Sequence, residues 1–471
     1  MQSKIKKIHF VGIKGVGMTP LAIIAKEAGF EVTGCDIEEK FITDEVLEKA
    51  GIISLKGFDE NHIENSDLVI TTGAQGGFDN VENIKAKTLG IPVWTQGEAA
   101  GKFMSGEIFK RKFYGISVAG SHGKTTTTAM IATILKDAGL DPAFLVGTGN
   151  IPSLSSSGHF GKGNYFVAEA DEYATEPNYD KTPKFLWQKP KIGVITNIEF
   201  DHPDLYSSID KVKEAFLKFA ENIEEKGVLV ACLDDSNTRD LLKNYKNSSV
   251  TYGFSKEADY YIEKISIETD RMFLWVESKN ASLGEFSLNV MGEHNGLNAL
   301  CAMVVCLELG LSVDKIKKGL SAFNGTKRRL EFIGKTKEGA YVYDDYAHHP
   351  TEIKKTLAAL KKMYPNKKIV SIFQPHTFSR TKSLFEQFVG SFSNADIVLT
   401  TDIYPSLREM PDSSVSSKLL SDSIAKVHRD TFYVANLDDV VKYVDQNGFD
   451  SNYVVVILGA GDVYKVLKDL I

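Results

Sequence analysis

A glycine-rich turn wedged between a strand and a helix restricts this chain more than any other stretch. Tyr114 to Val118 alternates as a strand does, and Met130, Ile131, Ile134, Leu135 and Ala138 recur at helical spacing. Between them runs Val118-Ala-Gly-Ser-His-Gly-Lys-Thr-Thr-Thr-Thr128. A turn in this place aims free backbone N–H groups and the positive end of a helix at any bound anion. Gly120, Ser121, His122 and Gly123 would wrap phosphates, with Thr126 beside them. Lys124 would reach the β and γ groups, and Thr125 would offer its hydroxyl to Mg²⁺. Val118 stands where the standard loop has its first glycine. A plain turn leaves four successive threonines unexplained, because β-branched residues are mediocre helix formers.

At 471 residues the chain outgrows one ordinary core and divides into about three domains. Its net charge of −7 gives no electrostatic case for nucleic acid or an anionic membrane. No apolar run reaches bilayer length, and Met1-Gln-Ser-Lys-Ile-Lys-Lys enters a strand without the apolar centre of a signal peptide. A cytoplasmic protein is expected. Cys35, Cys232, Cys301 and Cys306 sit in apolar runs without Cys-x-x-Cys spacing, which predicts buried free thiols and no zinc.

The expected class is α/β in three units. The first, 1–111, opens with a strand over Lys4 to Val11, the turn Gly12-Ile-Lys-Gly-Val-Gly-Met18, a helix over Pro20 to Ala28, and a strand ending at Asp36. This is a Rossmann-like layout with the acid about 20 residues past the turn. Gly12, Gly15, Gly17 and Met18 would approach a pyrophosphate and Asp36 a ribose. The spacing is G-x-x-G-x-G, so a UDP-type ligand fits at least as well as a nicotinamide dinucleotide, and a merely tight turn is the plain alternative. The second unit, 112–325, holds the phosphate turn on a mainly parallel sheet. Its strands end in Glu169-Ala-Asp-Glu172 and lead to Glu199-Phe-Asp-His-Pro-Asp204, so Glu169 and His202 would stand beside Thr125 and hold Mg²⁺. Met291-Gly-Glu-His-Asn-Gly-Leu-Asn298 precedes a helix over Ala299 to Leu309 and suits capping or base recognition. The third, Rossmann-like unit, 326–471, places Asp345, Tyr346-Ala-His-His-Pro350 and Gln374-Pro-His-Thr-Phe-Ser-Arg380 at successive strand ends, with Tyr453 to Leu458 closing the sheet. Gly459-Ala-Gly-Asp462 has the look of a further dinucleotide turn but lacks a following βαβ unit.

Taken with Lys327-Arg-Arg-Leu-Glu331 and Ile403-Tyr-Pro-Ser-Leu-Arg-Glu409, these motifs stand in the order of the Mur ligases of peptidoglycan synthesis. The chain resembles that family over nearly its whole length, and most of all its alanine-adding branch. The resemblance implies ATP-dependent joining of L-alanine to the carboxylate of UDP-N-acetylmuramate through an acyl phosphate, in a monomer or homodimer. It implies that Lys124 contacts the transferred phosphate, that Thr125, Glu169 and His202 hold Mg²⁺, that Asn295 meets adenine, and that Arg329 and Asp345 touch ATP. It puts the uridine diphosphate at Gly15 and its turn. Tyr346, His348, His376 and Arg380 would meet the incoming amino acid and the sugar nucleotide, with His348 or His376 as proton acceptor. Sister ligases carry a carbamylated lysine after this aspartate-histidine motif, and Lys211, Lys213 and Lys218 are the nearby lysines. The long segment Tyr173 to Lys184 resembles instead the ligase that joins a preformed tripeptide to the same sugar nucleotide. A nicotinamide oxidoreductase would rest on Gly12 to Asp36 alone and give Lys124 no task.

Overall fold

The computed structural model describes residues 5–268, 271–406 and 409–471. The first four residues, and Leu407 and Arg408 of the Ile403 to Glu409 stretch, lie outside them. Three α/β sheets follow one another along the chain. The first has five parallel strands in the spatial order Leu55–Lys56, Glu31–Asp36, Lys7–Val11, Leu68–Thr71, Val93–Thr95. The helix Thr19–Glu27 leaves the glycine turn with a proline at its start, a position where the missing N–H is no loss.

The second sheet has ten strands, with Tyr114–Ala119 between Tyr165–Glu169 and Ile192–Ile195 and parallel to both. Parallel pairing extends outward to Ala143–Leu145 on one side and Tyr260–Glu268 on the other. One edge turns antiparallel, through Tyr260–Glu268, Arg271–Ser278 and Ser282–Leu288. The helix Lys124–Asp137 is buried from Thr125 through Leu135. That burial accounts for part of its threonine content. Thr128 and Thr133 bond their hydroxyls back to the carbonyls of Lys124 and Ala129, at 2.8 and 2.7 Å, so they sit in the interior without orphaned oxygens. The next long helix spans Glu293–Glu308, beginning six residues before the expected Ala299, and so places Asn295 in its first turn.

The third sheet runs Glu331–Lys335, Tyr341–Asp345, Tyr453–Leu458, Lys368–Phe373, Ile397–Thr400, Thr431–Tyr433, all parallel but the first. The strand expected to close this sheet therefore lies inside it. Its apolar run Tyr-Val-Val-Val-Ile-Leu is buried from Val454 onward, as a strand covered on both faces requires. The glycines of the following turn are taken up by protein contacts. Arg328 donates to the Gly459 carbonyl at 2.5 Å, and a Cβ on Gly461 would meet the side chains of Gln374 and Tyr404.

Candidate active site

The carboxyl ends of Tyr114–Ala119, Tyr165–Glu169 and Ile192–Ile195 share one edge of the middle sheet, where open α/β folds place their ligands. Gly123 has φ of +86° and caps the helix Lys124–Asp137, and a Cβ there would stand 2.5 Å from Asn298 Oδ1. Gly120, at φ +140°, has the Thr196 side chain where a Cβ would go. These two positions therefore take glycine for both conformation and space. Lys124 Nζ donates to the Gly120 carbonyl at 2.5 Å and to Glu172 at 2.8 Å. Burial pulls the Lys124 pKa down, yet Glu172 and Asp171 hold it above the ordinary lysine value.

Glu169 accepts the Gly147 N–H at 2.6 Å and bonds the Thr125 hydroxyl. Burial raises its pKa against the pull of Lys124 and Arg329, which marks a desolvated carboxylate short of positive charge. Thr125 and Glu169 offer the oxygen donors that Mg²⁺ takes, so they fit that ion. His202 lines the same cleft, at φ +54°, with Nε2 3.8 Å from Asp201 and its ring against Tyr173. Imidazole is a less usual partner for Mg²⁺ than oxygen, so His202 is the weaker member of the expected trio.

On the far side of the turn, His122, Gly123, Thr126, Asn295, Arg329 and Asp345 line one pocket. His122 Nδ1 is 3.2 Å from Glu352 and Nε2 is 3.5 Å from Glu199. Against burial, these carboxylates lift the His122 pKa to about 9, making it a cation at neutrality. Asn295 donates to the Met291 carbonyl at 2.8 Å and accepts from Asn298. Asp345 accepts backbone N–H groups from Leu330 and Ala347, both at 2.7 Å, and burial raises its pKa to about 6. Arg329 reaches Thr125 at 3.5 Å, whereas its neighbour Arg328 is buried against Asp344.

The remaining expected residues divide. Gly15, Gly17 and Met18 line a cavity of about 420 Å³ together with Ser121, Lys124, Thr125, Glu169, His202, Tyr346, His348, His376 and Arg380. Gly12 and Asp36 do not line it. Asp36, expected among the substrate-binding residues, accepts the N–H groups of Lys14 and Ile37, each at 2.9 Å, and so organises the turn. None of Lys211, Lys213 and Lys218 lines the cavity; Lys211 pairs with Glu214 and Lys213 with Asp240.

At the donor end the two histidines expected as proton acceptors stand in different surroundings. His348 Nδ1 donates to the Tyr346 carbonyl at 2.9 Å, and burial with the nearby Arg380 pushes its pKa down to about 3 despite Glu352. His376 Nδ1 faces Arg380 Nη1 at 3.0 Å, and the same Nη1 donates to the His376 carbonyl at 3.2 Å. Arg380 is itself locked to buried Asp201 at 2.7 Å.

Sequence reasoning quoted Glu172, Glu199, Asp201 and His349 within its motifs without giving them a role of their own, and it passed over Glu352. Glu352 closes a capping box at the start of the helix Pro350–Met363, and the Glu three residues past His349 was the available signal.

Comparison with known proteins agrees with this assembly. Family models described as "Mur ligase family, catalytic domain", "Mur ligase middle domain" and "Mur ligase, glutamate ligase domain" match residues 7–107, 118–306 and 328–461. A UDP-N-acetylmuramate–L-alanine ligase of Desulfitobacterium hafniense is 40% identical over 98% of this chain and 99% of its own length. One from Caldanaerobacter subterraneus is 41% identical over 98% and 96%. The crystal structure of a UDP-N-acetylmuramate-alanine ligase from Thermotoga maritima superposes with a TM-score of 0.80 at 29% identity, covering 98% of each chain. A murein peptide ligase from Psychrobacter arcticus gives 0.71 at 27% identity, over 99% and 98%.

Proposed function

This chain belongs to the Mur ligase family, and on that premise we propose that it joins L-alanine to UDP-N-acetylmuramate using ATP, in the cytoplasm, as a monomer or homodimer. Among the described residues no helix is long and apolar enough to cross a membrane. The observation that carries the reading is the single cleft shared by the Gly15 turn, the Lys124 turn and the His348, His376 and Arg380 strand tips. The three units, taken as 1–111, 112–325 and 326–471, would then supply the acid, the nucleotide and the amine.

A carboxylate is a poor acyl donor. Its oxygen takes the γ-phosphoryl of ATP, ADP leaves, the alanine amine attacks the acyl carbon, and inorganic phosphate departs. Lys124 and the N–H groups of its turn would bind and orient the phosphates, since phosphoryl transfer asks chiefly for placement and charge neutralisation. Asn295, Arg329 and Asp345 would seat the rest of ATP. Mg²⁺, held by Thr125 and Glu169 with His202 nearby, would supply positive charge to the phosphate oxygens. Tyr346, His348, His376 and Arg380 would orient the amine and the acyl group by hydrogen bonds, and the ammonium proton would leave to solvent or to the departing phosphate.

The segment that suggested the tripeptide alternative packs away from the third unit. Ala174–Glu176 and Asp180–Pro183 form a hairpin packed on the amino-terminal unit, with Pro177 against Gly73 and Tyr179 bonded to Asp79 at 2.7 Å. On this reading it would border the sugar nucleotide, and the curated relatives that match over the whole chain are alanine ligases, which favours L-alanine as donor. Phosphate release from ATP with UDP-N-acetylmuramate, compared with L-alanine, the tripeptide and no donor, is the test. Turnover with L-alanine alone is expected, and turnover restricted to the tripeptide would overturn the assignment.

A further inference from the structure

Glu352 stands where two cavities meet. It lines both the nucleotide-side pocket and the main cleft, as do His122, Gly123 and Arg329. Its side chain is only 12% exposed. Oε1 lies 3.2 Å from His122 Nδ1 and 3.6 Å from Arg329 Nη1. Oε2 lies 3.3 Å from His348 Nδ1 and accepts the backbone N–H of His348 at 3.1 Å and of His349 at 3.3 Å. A helix-capping acid needs only the last of these bonds. A desolvated carboxylate is costly unless it is paired, and here the cations it pairs with belong to the nucleotide side while its backbone bonds belong to the donor strand tip.

We infer that Glu352 is a positioning residue that couples the phosphate turn to the donor end, one oxygen holding His122 and Arg329 and the other holding the His348 backbone. This inference rests on the ligase reading given above and deepens it. Nucleotide pocket and donor end then take their working geometry together, because moving either one breaks bonds to the same carboxylate. The neighbouring carboxylate completes the frame: Glu199 Oε2 accepts from Thr351 at 2.5 Å and faces His122 from the other side. Among the described residues, His122, Glu199 and His349 bring ligand atoms within 4.8 Å of one another, and the histidine cation between two carboxylates gives that cluster its structural role.

The test is Glu352→Gln in the full chain, which keeps shape and removes charge. The expected result is kcat lowered about tenfold and a raised KM for L-alanine, because transition-state placement is lost while ground-state nucleotide contacts remain. Binding of ATP, read directly by calorimetry, stays as tight as wild type or tightens, since a negative charge has left the phosphate side. His122→Asn should lower kcat similarly, and the double variant should be no worse than either single, the non-additivity of residues acting as one unit. Wild-type kinetics in Glu352→Gln, multiplying losses in the double variant, or a lowered melting temperature with ATP affinity lost would each overturn the inference. Failure of the wild-type protein to use L-alanine would instead strike the functional reading, leaving the ATP-binding comparison intact.

Discussion

At the residue scale, the central lysine has two jobs that can be separated. Lys124 offsets the charge of Glu172, which is 2% exposed, and the same ammonium group is the one that would meet the transferred phosphate. Lys124→Met alone should cost about 3 kcal/mol of stability, because it strands a buried carboxylate, and should lower ligation roughly a thousandfold, since fixed charge at the transferring group is lost. Adding Glu172→Gln should restore the melting temperature and leave activity absent. Recovery of turnover in that double variant, read by thermal shift and phosphate release, would sink the division. The sequence made the lysine legible because glycine, lysine and threonine sat at a strand-to-helix turn. Glu172 was legible only as one acid among several, since nothing in Glu169-Ala-Asp-Glu172 says which of them turns inward to the lysine.

At the element scale, the helix Val81–Thr88 is short, yet it anchors the first sheet through one side chain. Glu82 is fully buried and accepts from His9 Nε2, His62 Nδ1, the Cys35 thiol and the Asp59 N–H, at 2.9, 2.9, 3.0 and 3.0 Å. Burial pushes its pKa up, but the bonds from His9 and Cys35 outweigh it and hold the carboxylate ionised. Glu82→Ala should remove about 3 to 5 kcal/mol by orphaning these donors, seen as an early first transition in thermal unfolding. An unchanged melting profile would show that water replaces the carboxylate without loss. In the sequence Glu82 was merely an acid in a polar stretch, because its partners come from three other segments. The elements legible in advance were those whose apolar runs are buried on both faces, such as Tyr341–Asp345 and Lys368–Phe373. The antiparallel strands Tyr260–Glu268, Arg271–Ser278 and Ser282–Leu288 went unread, as they alternate buried and exposed positions, with Met272, Leu274 and Val276 inward on the middle one, and none carries a continuous buried apolar run.

At the scale of the whole molecule, the units are pinned across the cleft by a few bonds. Asp201 of the middle unit grips Arg380 of the third at 2.7 Å, and the Phe200 carbonyl accepts from His349 at 3.3 Å. Lys465 reaches Glu39 of the first unit at 3.4 Å, an exposed pair that adds little by comparison. Asp201→Asn should therefore lower kcat about a hundredfold, the cost of an ångström-scale misplacement of reacting groups. Small-angle scattering should show a larger radius of gyration for that variant without nucleotide. A wild-type radius with wild-type turnover would mean that the pair is dispensable for closure. The order in which strands meet was not readable from the sequence, because it depends on crossovers and not on local pattern.

That order has a consequence for how the molecule is made. With Tyr453–Leu458 lodged between Tyr341–Asp345 and Lys368–Phe373, the two flanking strands leave the ribosome well before the one that must separate them. During synthesis each can pair on its outer side, with Glu331–Lys335 and Ile397–Thr400 respectively, while the edge that faces the other awaits a late arrival. The first two sheets are free to mature while the chain is still growing, whereas the third is completed only when its last strand arrives.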